Sequence, residues 1–272
     1  MIIDGRAFAE EAYVELANAR VQITAKIKLG IIVASIDPVI ESFIRIKGHA
    51  ADRLDVDMIR RDLLPGSTTE NATDLVRELS SECDGIIVQL PLPDYFDTEA
   101  VLASIPNEKD VDGISPNIEE KDRIVHAPVA AAIDEILKRW NISPAGKKVV
   151  VVGAGRLVGK PAAWLFSHVN AELKVVTQED GSLDDLKDAD IVVLGAGNPG
   201  FVKPEHLKKD VVLIDAGTSE SGGKVVGDAD PACADVASLF TPVPGGVGPI
   251  AVAMIFKNLF ELIDAKNNSP VV

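Results

Sequence analysis

Apolar residues along this chain keep two rhythms that alternate from end to end. Phe8, Ala9, Ala12, Leu16, Ala17 and Val21 recur near helical spacing, which predicts a helix over 6–28. The apolar run from Leu29 to Ser35 predicts a buried strand. Asp37-Pro38 predicts a helix start, because proline's missing N–H costs nothing in a first turn, and that helix extends to Ala51. A strand at 56–64, a helix at 71–81 behind Ser67-Thr68-Thr69-Glu70, and a strand over Gly85–Leu90 follow. Pro91-Leu92-Pro93 ends that strand. Residues 105–127 are turn formers and charges, which predicts a domain boundary. Beyond it the rhythm predicts helix 128–140, strand 147–152, helix 157–168, strand 172–177, helix 182–187, and strands 190–194 and 210–215. Thr241 through Pro249 is too rich in proline and glycine for regular structure, and 250–265 predicts a last helix. Alternation of this kind favours parallel sheets and an α/β fold.

Composition narrows the picture. A chain of 272 residues makes one large or two medium domains. A net charge of −15 and 4% aromatic residues point away from nucleic acid, which attracts basic surfaces and stacking rings. Cys83 and Cys233 stand far apart without a CxxC, so neither a disulfide framework nor a metal site is expected. Met1-Ile2-Ile3-Asp4-Gly5 carries no basic stretch ahead of an apolar one, so no signal peptide is expected. No run approaches the ~20 apolar residues of a membrane span, and a cytoplasmic location is the expectation.

The most specific local pattern is Gly153-Ala154-Gly155-Arg156-Leu157-Val158-Gly159, preceded by four valines. It reads as strand, turn and helix, one residue longer than the usual dinucleotide fingerprint. Glycines let the backbone turn tightly and approach a pyrophosphate, and a helix N-terminus offers free N–H groups. After the next strand come Thr177-Gln178-Glu179-Asp180. Acidic side chains there suit the ribose diol of NAD and repel the extra phosphate of NADP, a repulsion that Arg156 or Lys160 could answer. A merely solvated loop is the equal alternative.

In the first half, polar residues interrupt an apolar background at three places. Lys47 follows Phe43 by one helical turn, Gln89 interrupts a strand just before Pro91, and Asp112 lies in Lys109-Asp110-Val111-Asp112-Gly113. Each has a plain alternative: a surface lysine, a strand-end amide, a turn aspartate.

Taken in order, these segments resemble the bifunctional methylenetetrahydrofolate dehydrogenase/methenyltetrahydrofolate cyclohydrolases. The resemblance rests on Ile3-Asp4-Gly5, Asp37-Pro38 with Lys47, Val88-Gln89-Leu90-Pro91-Leu92-Pro93 and Lys109 through Gly113. It continues through Val158-Gly159-Lys160-Pro161, Asn198-Pro199-Gly200-Phe201, Ile214-Asp215-Ala216-Gly217 and Thr241 through Pro249. It implies two α/β domains with a folate cleft between them. One would comprise 1–120, completed by a C-terminal helix at 250–266; the other, 121–249, would be Rossmann-like. It implies Lys47 as general acid/base, Gln89 tuning it, and Asp112 holding the pterin. Phe43, Pro91, Pro244, Gly245 and Gly246 would line the folate site. The turn 153–159, with Thr177, Gln178, Gly195, Gly217 and Thr218, would hold the dinucleotide. NADP is the family default, NAD remains open because of Glu179 and Asp180, tetrahydrofolate derivatives are the substrates, and a homodimer is expected.

The chain also departs from the family's usual residues. Phe43 stands for tyrosine, Ile40 for a common serine, and His126-Ala127-Pro128 for Cys-Thr-Pro. Ala154-Gly155, Gln178-Glu179 and Ala251 replace more polar or basic residues. Three readings follow: a bifunctional enzyme, a dehydrogenase without useful cyclohydrolase activity, and a folate or dinucleotide sensor without turnover.

Overall fold

The computed structural model describes residues 1–35 and 37–268. Its contacts divide the chain into two units: Ala12–Pro128 with Val252–Val272, and Met1–Glu11 with Val129–Ala251. The first helix, α1 (Gly5–Gln22), and the last, α7 (Val247–Asn268), each supply residues to both.

The first unit holds a three-stranded parallel sheet. β1 (Ile27–Val33) lies between β2 (Val56–Asp62) and β3 (Gly85–Val88), with Ile27 opposite Val56 and Leu29 opposite Gly85. α2 (Pro38–Arg53) and α3 (Thr69–Glu82) make the crossovers that parallel neighbours require. Their buried faces follow the spacing of Ile40, Ile44 and Ala51 and of Ala72, Val76 and Leu79. α4 (Thr98–Ala103), which the sequence pattern did not predict, is started by Asp97, whose side chain accepts from the Ala100 N–H at 3.0 Å.

The second unit holds five parallel strands in the order β10-β7-β6-β4-β5. These are β4 (Lys148–Val152), β5 (Glu172–Val176), β6 (Ile191–Leu194), β7 (Val211–Asp215) and β10 (Ala237–Thr241). β6 and β7 are buried along their whole length, as strands covered on both faces are. From β4 the chain goes to β5 on one side and then to β6 on the other. The order therefore reverses beside β4, which is where open α/β sheets bind ligands at their carboxyl ends. α5 (Pro128–Arg139) precedes this sheet in the chain and α6 (Gly159–Ser167) follows β4.

Several expectations need correction. α1 stops at Gln22, where Arg20 turns back to donate to the Ile23 carbonyl, and β1 begins at Ile27 because its pairing with Val56 starts there. α6 begins at Gly159, since the residues before it are spent on the turn and Val158 is not helical (φ −127°, ψ −67°). The 182–187 helix is a 3-10 segment, Leu183–Asp188. Its start is closed by reciprocal bonds of Ser182 and Asp185. α7 includes Val247-Gly248-Pro249, because Pro249 falls in the first turn, where a missing N–H is harmless. β10 and the hairpin β8 (Ser219–Ser221) with β9 (Lys224–Val226) were not anticipated. Met1–Glu11 joins the five-stranded unit rather than the first: the Ile3 N–H donates to Phe240 O at 2.9 Å and the Gly5 N–H to Gly245 O at 2.8 Å. The first unit also runs to Pro128 rather than 120.

Candidate active site

In the first unit Asp37 caps α2, its side chain accepting from Val39 and Ile40 N–H groups at 2.8 and 3.2 Å. Capping fixes the helix start, and the buried Ile40/Ile44 face fixes its rotation. Phe43 and Lys47 are then half-buried, one turn apart. Gln89 extends the β3 ladder by one residue, its N–H donating to Ile32 O at 2.9 Å, and it is 7% exposed. Lys47 Nζ donates to Gln89 Oε1 at 2.7 Å, and Gln89 Nε2 donates to Leu90 O at 2.8 Å. Burial holds the Lys47 ammonium below the ordinary lysine value, opposed by the charge of Asp112.

Asp112 belongs to a loop that runs beside β3 through a bridge from Asp110 to Ile86. Burial pushes its carboxyl up to about 6, against the pull of Lys47 and with a further push from Asp110. The loop is tied from three sides. Asp110 Oδ2 accepts from Ile114 and Ser115 N–H groups at 2.9 and 2.7 Å, and Arg123 Nη1 lies 3.6 Å from the same oxygen. Arg123 Nη2 donates to Ser115 O at 2.9 Å. Asn258, a buried amide on α7, donates to Val111 O and His126 O, both at 2.8 Å. Gly113 (φ +58°) could not carry a side chain, since its Cβ would lie 2.8 Å from Val125 O.

Lys47, Gln89 and Asp112 are thus brought together. Sequence reasoning missed Asp110, Arg123 and Asn258 as supports. Asn258 did leave a signal, as an amide inside the apolar run from Ile250 to Phe260. Pro91 is exposed just after Gln89. Pro244, Gly245 and Gly246 lie in the other unit, after β10; Pro244 and Gly245 line an open depression of about 300 Å³ with Asp4 and Arg6.

The glycine turn follows β4 in that unit. Gly153 (φ +98°) packs so closely that a Cβ would stand 2.5 Å from Gly195 O, and one on Gly159 would stand 2.1 Å from Gly153 O. A Cβ on Gly195 would meet Val158 Cγ1 at 2.3 Å. Gly155 differs: the nearest atom to a Cβ there is 3.8 Å away. Protein packing therefore does not demand a glycine at 155, whereas the close approach of a pyrophosphate would. These residues fit a dinucleotide. Arg156 is half-buried, and Ala154 and Leu157 are exposed on the turn. Thr177 Oγ1 accepts from Glu179 and Asp180 N–H groups at 3.2 and 3.1 Å, and both acids are exposed with Gln178. Gly217 is buried and Thr218 exposed, just past β7. Among the described residues no group of acidic, His and Cys side chains could hold a metal. Nor, among them, is any helix long and apolar enough to cross a membrane.

A parallel sheet ending in a glycine turn, and a second unit in which Lys47 bonds Gln89 within reach of the Asp112 charge, have the parts of a dinucleotide-binding α/β enzyme. Comparison with known proteins resolves the class further. Residues 3–112 match the family model "Tetrahydrofolate dehydrogenase/cyclohydrolase, catalytic domain", and 127–267 match its "NAD(P)-binding domain". The bifunctional protein FolD of Halothermothrix orenii is 37% identical over 271 residues, covering 94% of this chain and 95% of the relative. The Trypanosoma brucei methylenetetrahydrofolate dehydrogenase-cyclohydrolase, solved with NADP and an inhibitor, superposes with a TM-score of 0.90 at 32% identity, covering 99% of each chain. The Campylobacter jejuni FolD structure gives a TM-score of 0.91 at 26% identity, covering 98% of this chain and 99% of that one. The chain belongs to the bifunctional tetrahydrofolate dehydrogenase/cyclohydrolase family.

Proposed function

We propose that this protein oxidises 5,10-methylenetetrahydrofolate to the methenyl form and hydrolyses that to 10-formyltetrahydrofolate. The observation that carries the reading is the 2.7 Å bond from Lys47 Nζ to Gln89 Oε1, with the lysine held below its ordinary pKa. Burial shifts the lysine towards its neutral form, the form that takes a proton from the water attacking the methenyl carbon. It then returns a proton to the ring nitrogen as the carbon–nitrogen bond breaks. Gln89 orients the amine without a charge that would trap the proton. Asp112, when ionised, accepts hydrogen bonds from the pterin amino and ring N–H groups, and Phe43 and Pro91 supply apolar walls.

When bound, a nicotinamide dinucleotide supplies the hydride acceptor for the oxidation. The turn 153–159, with Thr177, Gln178, Gly195, Gly217 and Thr218, is proposed to hold it. NADP is the proposed cofactor by family, and exposed Glu179 and Asp180 favour a substantial activity with NAD. Mixing purified protein and methylenetetrahydrofolate with either dinucleotide, and following absorbance of the reduced nicotinamide, tests both points. No reduction with either would overturn the proposal in favour of a ligand sensor.

Phe43 favours one second reading, a dehydrogenase with feeble cyclohydrolase activity, because a hydroxyl common in the family is missing beside Lys47. Phe43→Tyr separates the two: a gain in methenyl hydrolysis beyond about tenfold supports the second reading, and a change within about twofold supports the first. The proposal includes a cytoplasmic homodimer; a monomer mass in light scattering would refute the assembly.

A further inference from the structure

Two fully buried carboxylates in the five-stranded unit take no part in the chemistry above. Asp215 ends β7, and Asp228 follows β9; they are 1% and 0% exposed. Asp228 Oδ2 accepts from the Ala196 and Gly197 N–H groups at 2.7 and 3.2 Å, and its Oδ1 from Asn198 N–H at 2.7 Å. Three successive backbone N–H groups form the kind of concavity that binds anions. Here the protein fills it with its own side chain.

Backbone bonds hold the two ends of the loop after β6, from Gly195 N–H to Val152 O and from Gly200 N–H to Gly227 O, both at 2.9 Å, and the Asp228 carboxylate takes up the N–H groups between them. Residues 196–199 are exposed, and Gly197 is in the left-handed region at φ +68°. The carboxylate also explains a glycine across from it. A Cβ on Gly217 would stand 2.2 Å from Asp228 Cγ, so the loop after β7 closes directly on this group. Asp215 braces the arrangement. Its Oδ1 accepts from Gly217 and Asp228 N–H groups at 3.0 and 3.2 Å, and its Oδ2 from Ala229 N–H at 2.8 Å. Thr241 Oγ1 accepts from the Asp215 N–H at 2.8 Å. Hydrogen bonds thus run from the end of β10 through β7 to the loop after β6.

We infer that Asp228 is a positioning residue for the dinucleotide: its carboxylate fixes the loops that carry Gly195 on one side and Gly217 and Thr218 on the other, without touching the ligand. The inference rests on the proposed dinucleotide site.

The test is Asp228→Asn, which keeps the size but turns one acceptor into an N–H₂ facing backbone N–H groups. Expected is a rise of about tenfold or more in KM for the dinucleotide, the effect of one or two lost charge-assisted bonds. Methenyltetrahydrofolate hydrolysis, carried by residues of the other unit, should stay within about twofold. An unchanged dinucleotide KM, or an equal fall in hydrolysis, overturns the inference. An inactive wild-type protein would instead overturn the proposed function. Hydrogen exchange on the wild-type protein gives an answer even if the variant does not fold. Ala196 and Asn198 amides should exchange as slowly as those of β6 despite their exposed residues, and fast exchange overturns the assignment.

Discussion

Lys47 Nζ donates a hydrogen bond to Gln89 Oε1 at 2.7 Å, while the other end of the same amide donates to Leu90 O at 2.8 Å. The second bond settles which way the amide faces, so the lysine always meets the oxygen. A neutral acceptor in that place orients the amine and leaves its proton mobile. The burial that depresses the Lys47 pKa therefore survives contact with its partner.

Gln89→Glu should reverse this. A carboxylate 2.7 Å from the ammonium stabilises the charged lysine and raises its pKa. The expected result is a fall of roughly 10–100-fold in methenyl hydrolysis at neutral pH, with the optimum moved to higher pH. A pH–rate profile identical to the wild-type one would refute the role given to Gln89.

Lys47→Met should remove the proton carrier with little change in volume. Loss of positioned acid–base help costs about 10²–10⁴ in rate, so hydrolysis should fall by that range. Dinucleotide affinity, measured by calorimetry, should not move, and unchanged hydrolysis would remove Lys47 from the mechanism.

Asp112 links function to pH and to stability. Its carboxyl titrates near 6, above the ordinary 3.8, because the fold disfavours its charge. Its stabilising contribution is therefore complete below the unfolded pKa and is lost as pH rises through about 6. Asp112→Asn should make the protein more stable than wild type at about pH 8, by on the order of 1–2 kcal/mol after allowing for partial exposure, with the advantage gone at about pH 4. Denaturant titrations at the two pH values check it. The same variant should raise KM for the folate, and the wild-type folate KM should worsen as pH falls through about 6. Equal stability differences at both pH values would contradict the assignment.

Asn258→Leu should leave the Val111 and His126 carbonyls buried without their donor. The cost is about 1–3 kcal/mol of stability. Because Val111 adjoins Asp112, KM for the folate should rise several-fold while KM for the dinucleotide holds. A shift in stability alone would make Asn258 a purely structural residue.

The strands were the most legible part of the fold, because β4, β6 and β7 are continuous apolar runs that a double-sided core requires. Lys47, Gln89 and Asp112 stood out in the sequence as polar breaks with plain alternatives, and only the family resemblance attached roles to them. What failed was local. Val247-Gly248-Pro249 resembles a loop until the helix that begins there is known, and β8 and β9 are too short to show a period. The supports supplied by Asp215 and Asp228 were hidden for a different reason. Their partners are backbone N–H groups from distant segments, and a backbone group leaves no letter in the sequence.

The division of the chain also bears on how the protein is made. Residues 12–128 leave the ribosome before 129–251, but their unit is completed by residues after 251. Until those emerge, the Val111 and His126 carbonyls lack Asn258, and Leu259 is missing from its place beside Gly85. The segment that carries the lysine is thus translated before the residues that complete its unit. While the middle of the chain is being made, the apolar position that Leu259 takes beside Gly85 waits unfilled, and transiently uncovered apolar surface is the general hazard of incomplete domains.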